Sequence, residues 1–132
     1  MSLIKSPSEI TAPATCKVLL YGKAGTGKTT LALSAPDPLL LDFDGGVSRV
    51  NRAHQTDTVQ ITSWNDVKNL FYATAELAKY RTIVVDTIGK MMDFIIRHVC
   101  GTQQPQIRQW GTINAEFKWF TSAITSLGKH VI

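Results

Sequence analysis

Apolar positions along the chain follow two patterns, and these two patterns alternate. Short apolar runs predict β-strands at 17–21, 39–44, 59–62 and 82–86, and a last one beginning at His130. Segments with apolar residues three or four positions apart predict helices at 29–34, 63–80, 88–99 and 113–127. Thr82–Asp86 has an unbroken apolar centre, which is typical of a strand buried on both faces. The alternation predicts a three-layer α/β fold, with helices flanking a largely parallel sheet.

Length and composition fit a single domain. The chain has 132 residues, of which 44% are hydrophobic, and this is enough for a packed core. Residues 1–15 contain Pro7, Pro13 and several hydroxyl residues, so we expect a leader segment there and a core over 16–132. Because the last predicted strand begins only at the final three residues, we expect the core to be truncated at its C-terminal end.

Charge and hydropathy narrow the choice of partners. The formal net charge is +4, which permits an anionic partner, but Lys and Arg form no run that would indicate nucleic-acid binding by charge alone. No N-terminal signal sequence is visible, and no apolar run is long enough to cross a bilayer. We therefore expect a cytoplasmic protein without membrane contact.

The most specific motif lies between the first predicted strand and the first predicted helix. Residues Gly22–Thr29, called the phosphate loop below, match the P-loop pattern G-x-x-x-x-G-K-[ST]. Glycines allow such a loop to turn its N–H groups towards a phosphate, and the following helix points its positive end at the anion. Lys28 is expected to contact the β- and γ-phosphates and to take part in catalysis. The expected nucleotide contacts are Gly22, Ala24, Gly25, Thr26, Gly27, Lys28, Thr29 and Thr30.

A magnesium site is predicted from two further oxygen ligands. The Thr29 hydroxyl of a P-loop can reach Mg²⁺, and a second acid at the end of an apolar strand normally helps to hold the ion. Asp86 ends the run 82–86 and fits this Walker B position, on a strand expected beside the strand of the phosphate loop. The alternative for Asp86 is an ordinary strand-end residue. The three histidines share no ligand spacing, so no other metal is indicated.

Hydrolysis also needs a group that orients or deprotonates water. Many P-loop ATPases carry a glutamate directly after the Walker B aspartate, but this chain has Thr87 there. Asp42 and Asp44 lie at the end of the second predicted strand, where ligands of parallel sheets bind. Asp44 is the more terminal of the two and is the predicted catalytic acid–base group. Its alternative is a turn role, since Asp-Gly-Gly is common turn chemistry.

The segment 103–110 combines amides, one arginine and Trp110. Such residues suit stacking on single-stranded DNA, but one aromatic and one arginine do not make a stacking platform. We therefore favour a solvated loop with Trp110 anchored in the core, and keep single-stranded DNA as a partner to be tested.

Together these stretches resemble the RecA-like ATPases, and more narrowly the phage nucleotide-binding proteins with a RecA-type AAA domain, which are associated with single-strand annealing and recombination. The resemblance rests on 17–30, 39–46, 82–87 and 110–132. It implies binding and hydrolysis of Mg·ATP, a host-cytoplasmic location and homo-oligomers in the full-length protein. Asp42-Phe43-Asp44 stands where the family has Asp-x-Glu, so the catalytic carboxylate is one methylene shorter. The family's sensor residue follows the next strand and would lie past Ile132.

Three other functions fit the same loop. Asp86-Thr87-Ile88-Gly89 matches the D-x-x-G of GTPases, although the guanine-binding N-K-x-D is not in this sequence. A small-molecule or nucleotide kinase uses the same loop but usually has clustered lid arginines, which are dispersed here. A non-catalytic, nucleotide-dependent assembly module is the last alternative.

Overall fold

A computed structural model describes residues 3–132. Its strands are β1 (Pro38–Asp42), β2 (Thr58–Gln60), β3 (Thr82–Asp86) and β4 (His130–Val131). Its α-helices are α1 (Lys28–Leu33), α2 (Trp64–Tyr72), α3 (Thr74–Leu77), α4 (Ile88–Cys100) and α5 (Gln109–Thr125). Short 3-10 turns occur at Pro7–Glu9, Val47–Arg49 and Arg52–His54.

All four strands form one parallel sheet in the order β2-β1-β3-β4. In the centre of the sheet Asp42 of β1 is the register partner of Asp86 of β3. On the other side of β3, Ile83 pairs with Val131 of β4. Parallel strands end at a common edge, so both aspartates lie at the carboxyl edge of the sheet.

Side chains from alternate positions of the central strands build the two halves of the core. Leu39, Leu41 and Ile83 pack with α2, α4 and α5 on one face of the sheet. Leu40 and Val84 pack with the buried end of α1 on the other face. Helices therefore cover both faces, which confirms the three-layer α/β fold expected from the sequence.

The predicted strand over 17–21 is wrong. This segment makes one isolated bridge, in which Val18 N donates to Val131 O (2.8 Å) and Val131 N donates to Cys16 O (3.0 Å). Beyond this bridge the segment has no ladder, because β4 is only two residues long. Leu19 and Tyr21 are accordingly 71% and 89% exposed.

Two further expectations need correction. The strand of Asp86 does not lie beside the segment that leads into the phosphate loop, since β4 lies between them. The single helix predicted over 63–80 is interrupted at Ala73, whose ψ of 54° is not helical. The helix restarts as α3 and buries Leu77. Ser63 and Asp66 form a capping box at the start of α2, in which Ser63 N donates to Asp66 Oδ2 (2.8 Å).

Residues 3–14, which precede the first contact with the sheet, are exposed to solvent. Among the described residues, no helix combines the length and the apolar character that a membrane span requires.

Candidate nucleotide-binding site

The phosphate loop joins the segment 17–21 to α1 at the carboxyl edge of the sheet. Gly25 and Gly27 have φ angles of 77° and 90°, in the left-handed region that side chains disfavour. Helix α1 begins at Lys28, directly after the second of these glycines. Gly27 is a fixed glycine of the motif and Gly25 occupies one of its variable positions, and both lie where the backbone favours glycine.

The Lys28 ammonium group is held by its own loop. Lys28 Nζ donates to the carbonyl oxygens of Gly22 (2.8 Å) and Lys23 (2.7 Å), and Thr26 Oγ1 donates to the same Lys23 carbonyl (2.8 Å). An ammonium group has three donors, so one is left for an incoming anion. The loop thus encloses one positive charge.

A hydrogen bond joins the phosphate loop to the central strand. Thr29 Oγ1 donates to Asp86 Oδ2 at 2.6 Å, and both residues are partly buried. The peptide bond between Asp86 and Thr87 is cis. The hydroxyl and the carboxylate that the sequence singled out as metal ligands therefore lie in direct contact, although they are 57 positions apart.

This pair has the donor chemistry that magnesium prefers. Mg²⁺ takes oxygen ligands and is usually held by one or two carboxylates together with phosphates and water. Within residues 3–132 no group of three or more His, Cys, Asp or Glu could hold a metal by itself. A hydroxyl and one carboxylate beside a phosphate loop suit an ion that arrives with a nucleotide.

Asp44 lies beyond the end of β1, because the strand ends at Asp42 and not at Asp44 as the sequence predicted. The Asp42 carboxylate is 3% exposed and accepts hydrogen bonds from Gly46 N (3.1 Å) and Val47 N (3.2 Å). It therefore closes the turn after β1. Residues 43–50, called the Asp44 loop below, are fixed at their start by this carboxylate.

The Asp44 side chain faces a cation. Arg49 Nη2 donates to Asp44 Oδ2 at 3.1 Å, and the two side chains are 71% and 39% exposed. The backbone just before Asp44 is tied to β3, since Phe43 N donates to Asp86 O (2.9 Å). Asp44 thus lies at the same edge as Asp86, one strand further from the phosphate loop.

A cavity of about 550 Å³ opens beside the phosphate loop. It lies between 17–22, the end of β3 and α5, and its walls are mainly apolar. Lys28, Thr29 and Asp86 line it, so a void adjoins the charged groups of the site.

In the segment 103–110, the prediction that Trp110 is anchored in the core is wrong. Trp110 lies in the first turn of α5 and is 43% exposed, and Ile107 is 94% exposed. Trp110 is therefore not anchored in the core, and part of its ring is free for contact with a partner.

Sequence reasoning missed two features of the site. The pairing of Arg49 with Asp44 joins positions five apart across two glycines, a spacing that no helix or strand period indicates. The turn role of Asp42 was also missed, because the Asp-Gly-Gly turn signal belongs to Asp44, two positions further along. In the structure it is Asp42 that accepts the hydrogen bonds of the turn.

Of three comparisons with known proteins, the one with protein-family models gives a match. Neither the curated proteins nor the solved structures contain a significant match to the chain. The family model described as "AAA domain" matches residues 14–132, which include the phosphate loop, Asp44 and Asp86. This match covers most of the chain, so the protein belongs to the AAA domain family of P-loop proteins.

Proposed function

We propose that this chain binds ATP together with Mg²⁺ at the phosphate loop and hydrolyses it. The observation that supports this most strongly is the 2.6 Å contact between Thr29 Oγ1 and Asp86 Oδ2, the two oxygen atoms that we propose as metal ligands of a P-loop site. Membership of the AAA domain family, whose members generally are ATPases, supports the choice of nucleotide.

In the proposed complex the loop residues hold the phosphates. Backbone N–H groups between Gly22 and Gly27 bind the β-phosphate, and Lys28 exchanges its two carbonyl partners for β- and γ-phosphate oxygens. Exchange is favourable because a charged acceptor binds an ammonium group more strongly than a neutral carbonyl does. Ala24, Gly25, Thr26 and Thr30 complete the contacts of the loop and of the first helical turn.

Thr29 and Asp86 would hold the magnesium ion. When bound, such an ion neutralises charge on the β- and γ-phosphates. The Thr29 hydroxyl would keep donating its hydrogen to Asp86 Oδ2 while an oxygen lone pair faces the ion, and Asp86 would offer its other oxygen, Oδ1.

Asp44 is the proposed base. Its carboxylate orients a water and accepts the water's proton, while the water oxygen forms a bond to the γ-phosphorus. The bond from that phosphorus to the bridging oxygen breaks, and ADP leaves with the electron pair. Lys28 stabilises the charge on the transferred group.

The proposal is tested by nucleotide choice and by product analysis. We expect calorimetry to show ATP binding that GTP displaces weakly, and we expect ADP and phosphate as products of the Mg·ATP complex. Asp44→Asn should spare binding and lower the rate of hydrolysis. Preferential GTP binding would remove the ATPase assignment, and an unchanged rate in Asp44→Asn would remove Asp44 as the base.

The wider role that we propose is service to phage DNA recombination or single-strand annealing in the bacterial cytoplasm, by a homo-oligomer of the full-length protein. The resemblance to phage RecA-type proteins supports this role. The partly exposed Trp110 ring and the formal charge of +4 suit a single-stranded DNA partner.

A further inference from the structure

We infer that Arg49 is a positioning residue for the proposed reaction, holding the Asp44 carboxylate in the orientation in which it receives the proton from water. This inference rests on the proposed function, since it assigns a role within the same site. It is carried by the ion pair of Arg49 and Asp44 and by the construction of the Asp44 loop around it.

The Asp44 carboxylate is engaged on one side only. Arg49 Nη2 contacts Oδ2 at 3.1 Å, whereas among the described residues nothing hydrogen-bonds to Oδ1. A hydrogen bond to one oxygen restricts the rotation of the carboxylate and leaves its second oxygen open to solvent. This is the arrangement needed to orient a water molecule, which requires an acceptor within hydrogen-bond reach.

The Asp44 loop is built to keep this pair together. At its start the buried Asp42 carboxylate holds Gly46 and Val47 by their N–H groups. Further along, Val47 and Val50, which lie on either side of Arg49 in the sequence, pack against the core cluster that α1, β1 and β3 form on this face of the sheet. The backbone positions of both ion-pair partners are thereby fixed from the core.

Gly46 leaves room for the guanidinium group. A Cβ atom at this position would lie 3.0 Å from Arg49 Nη2 and 3.7 Å from Asp44 Oδ2. The backbone there has φ of −85°, so the conformation itself does not require glycine. The absence of a side chain serves the close approach of Arg49 to Asp44.

An aspartate at this position needs such a support more than a glutamate would. Asp44 is exposed on a turn, and its shorter side chain reaches less far towards the phosphate loop. A free carboxylate would sample several rotamers, and only some of them face the site. The ion pair selects one of them, at the modest energy typical of an exposed pair.

The test is a steady-state analysis of the full chain with Mg·ATP. We expect Arg49→Ala to lower kcat about fivefold and to leave KM unchanged, and we expect Arg49→Lys to recover part of the loss. Arg52→Ala is the matched control: Arg52 is exposed, lies three positions on and makes no ion pair within residues 3–132, so its kcat should equal that of the parent.

A double-mutant cycle separates positioning from a general effect of charge. If Arg49 acts through Asp44, the variant carrying both Asp44→Asn and Arg49→Ala is no slower than Asp44→Asn alone. Additive losses, or a kcat of Arg49→Ala equal to the parent's, would overturn the inference. Asp44→Asn with full activity would overturn the proposed role of Asp44 and, with it, that of Arg49, while leaving ATP binding and hydrolysis standing. ATP binding without any hydrolysis by the parent would overturn the proposed hydrolysis itself. Urea unfolding of each variant shows whether a lower rate reflects a less stable fold.

Discussion

Thr29 Oγ1 lies 2.6 Å from Asp86 Oδ2, and this hydrogen bond links the phosphate loop to the central strand of the sheet. Two residues from distant parts of the chain thus converge at the carboxyl edge of the sheet. Their oxygen atoms form the part of the site where we place the metal of a nucleotide complex.

From this contact we predict that the two side chains make nucleotide binding sensitive to magnesium. Asp86→Asn should bind ATP equally with and without Mg²⁺, whereas the parent should bind more tightly with Mg²⁺. Titration calorimetry at both conditions measures the difference. Thr29→Ser retains the hydroxyl and should behave like the parent, while Thr29→Val should behave like Asp86→Asn. A full magnesium effect in both Asp86→Asn and Thr29→Val would contradict this assignment.

The buried Asp42 carboxylate should stabilise the fold through the turn after β1. Asp42→Ala leaves the N–H groups of Gly46 and Val47 without their acceptor, and we expect the free energy of unfolding to fall by about 1–3 kcal/mol. Urea unfolding at neutral pH measures the loss. Asp93→Asn removes a carboxylate from an exposed ion pair and should change stability by less than about 0.5 kcal/mol. Equal effects of the two variants would refute the turn role.

Glu116 should make stability dependent on acid pH. Burial alone would raise its pKa, but hydrogen bonds from Trp64 Nε1 (2.8 Å) and Lys68 Nζ (3.0 Å) outweigh burial and lower the pKa. A carboxyl group with a lowered folded-state pKa stabilises the fold above its unfolded pKa of about 4.3. That contribution is lost as the pH falls through the lower, folded-state value.

The matched variant for this effect is Glu116→Gln, which retains the shape of the side chain but has no charge. We expect urea unfolding to show lower stability than the parent at pH 7, with the gap closing below about pH 4. A gap that stays constant between pH 7 and pH 3 would show that the ionised form of Glu116 contributes nothing.

The exposed part of Trp110 is the proposed contact for single-stranded DNA. Trp110→Ala should weaken binding of a labelled oligothymidine by about fivefold or more, as expected for the loss of one stacked base. Fluorescence anisotropy at fixed salt measures the affinity. Tyr72→Ala is the control, because Tyr72 is an aromatic residue on α2 that is more exposed (79%) than Trp110 (43%). Equal affinities of parent and Trp110→Ala would remove this contact from the account.

Sequence reasoning succeeded where local pattern and burial agree. The strand predicted at 82–86 is β3 in the structure, and the helix predicted at 88–99 is α4. Both predictions succeeded because continuous apolar strands and amphipathic helices are each specified by their own residues. The phosphate loop was identifiable because its glycines are required by the backbone at fixed spacings.

Sequence reasoning failed where the structure of a segment depends on residues that are distant in the sequence. The residues 17–21 have strand composition, yet whether they form a ladder is decided by β4, more than 100 positions away. The insertion of β4 between this segment and β3 is likewise a property of topology, which hydropathy does not encode. The contact of Arg49 with Asp44 arises from the shape of one loop, and no residue pattern predicts it.

The central claim is that the phosphate loop binds Mg·ATP through Lys28, and titration calorimetry of three proteins tests it most directly. The parent and Lys23→Ala should bind alike, because Lys23 enters the loop structure through its backbone carbonyl and not through its side chain. Lys28→Ala should lose at least about tenfold in affinity, the cost of a charge-assisted hydrogen bond. Unchanged Mg·ATP affinity in Lys28→Ala would contradict the account.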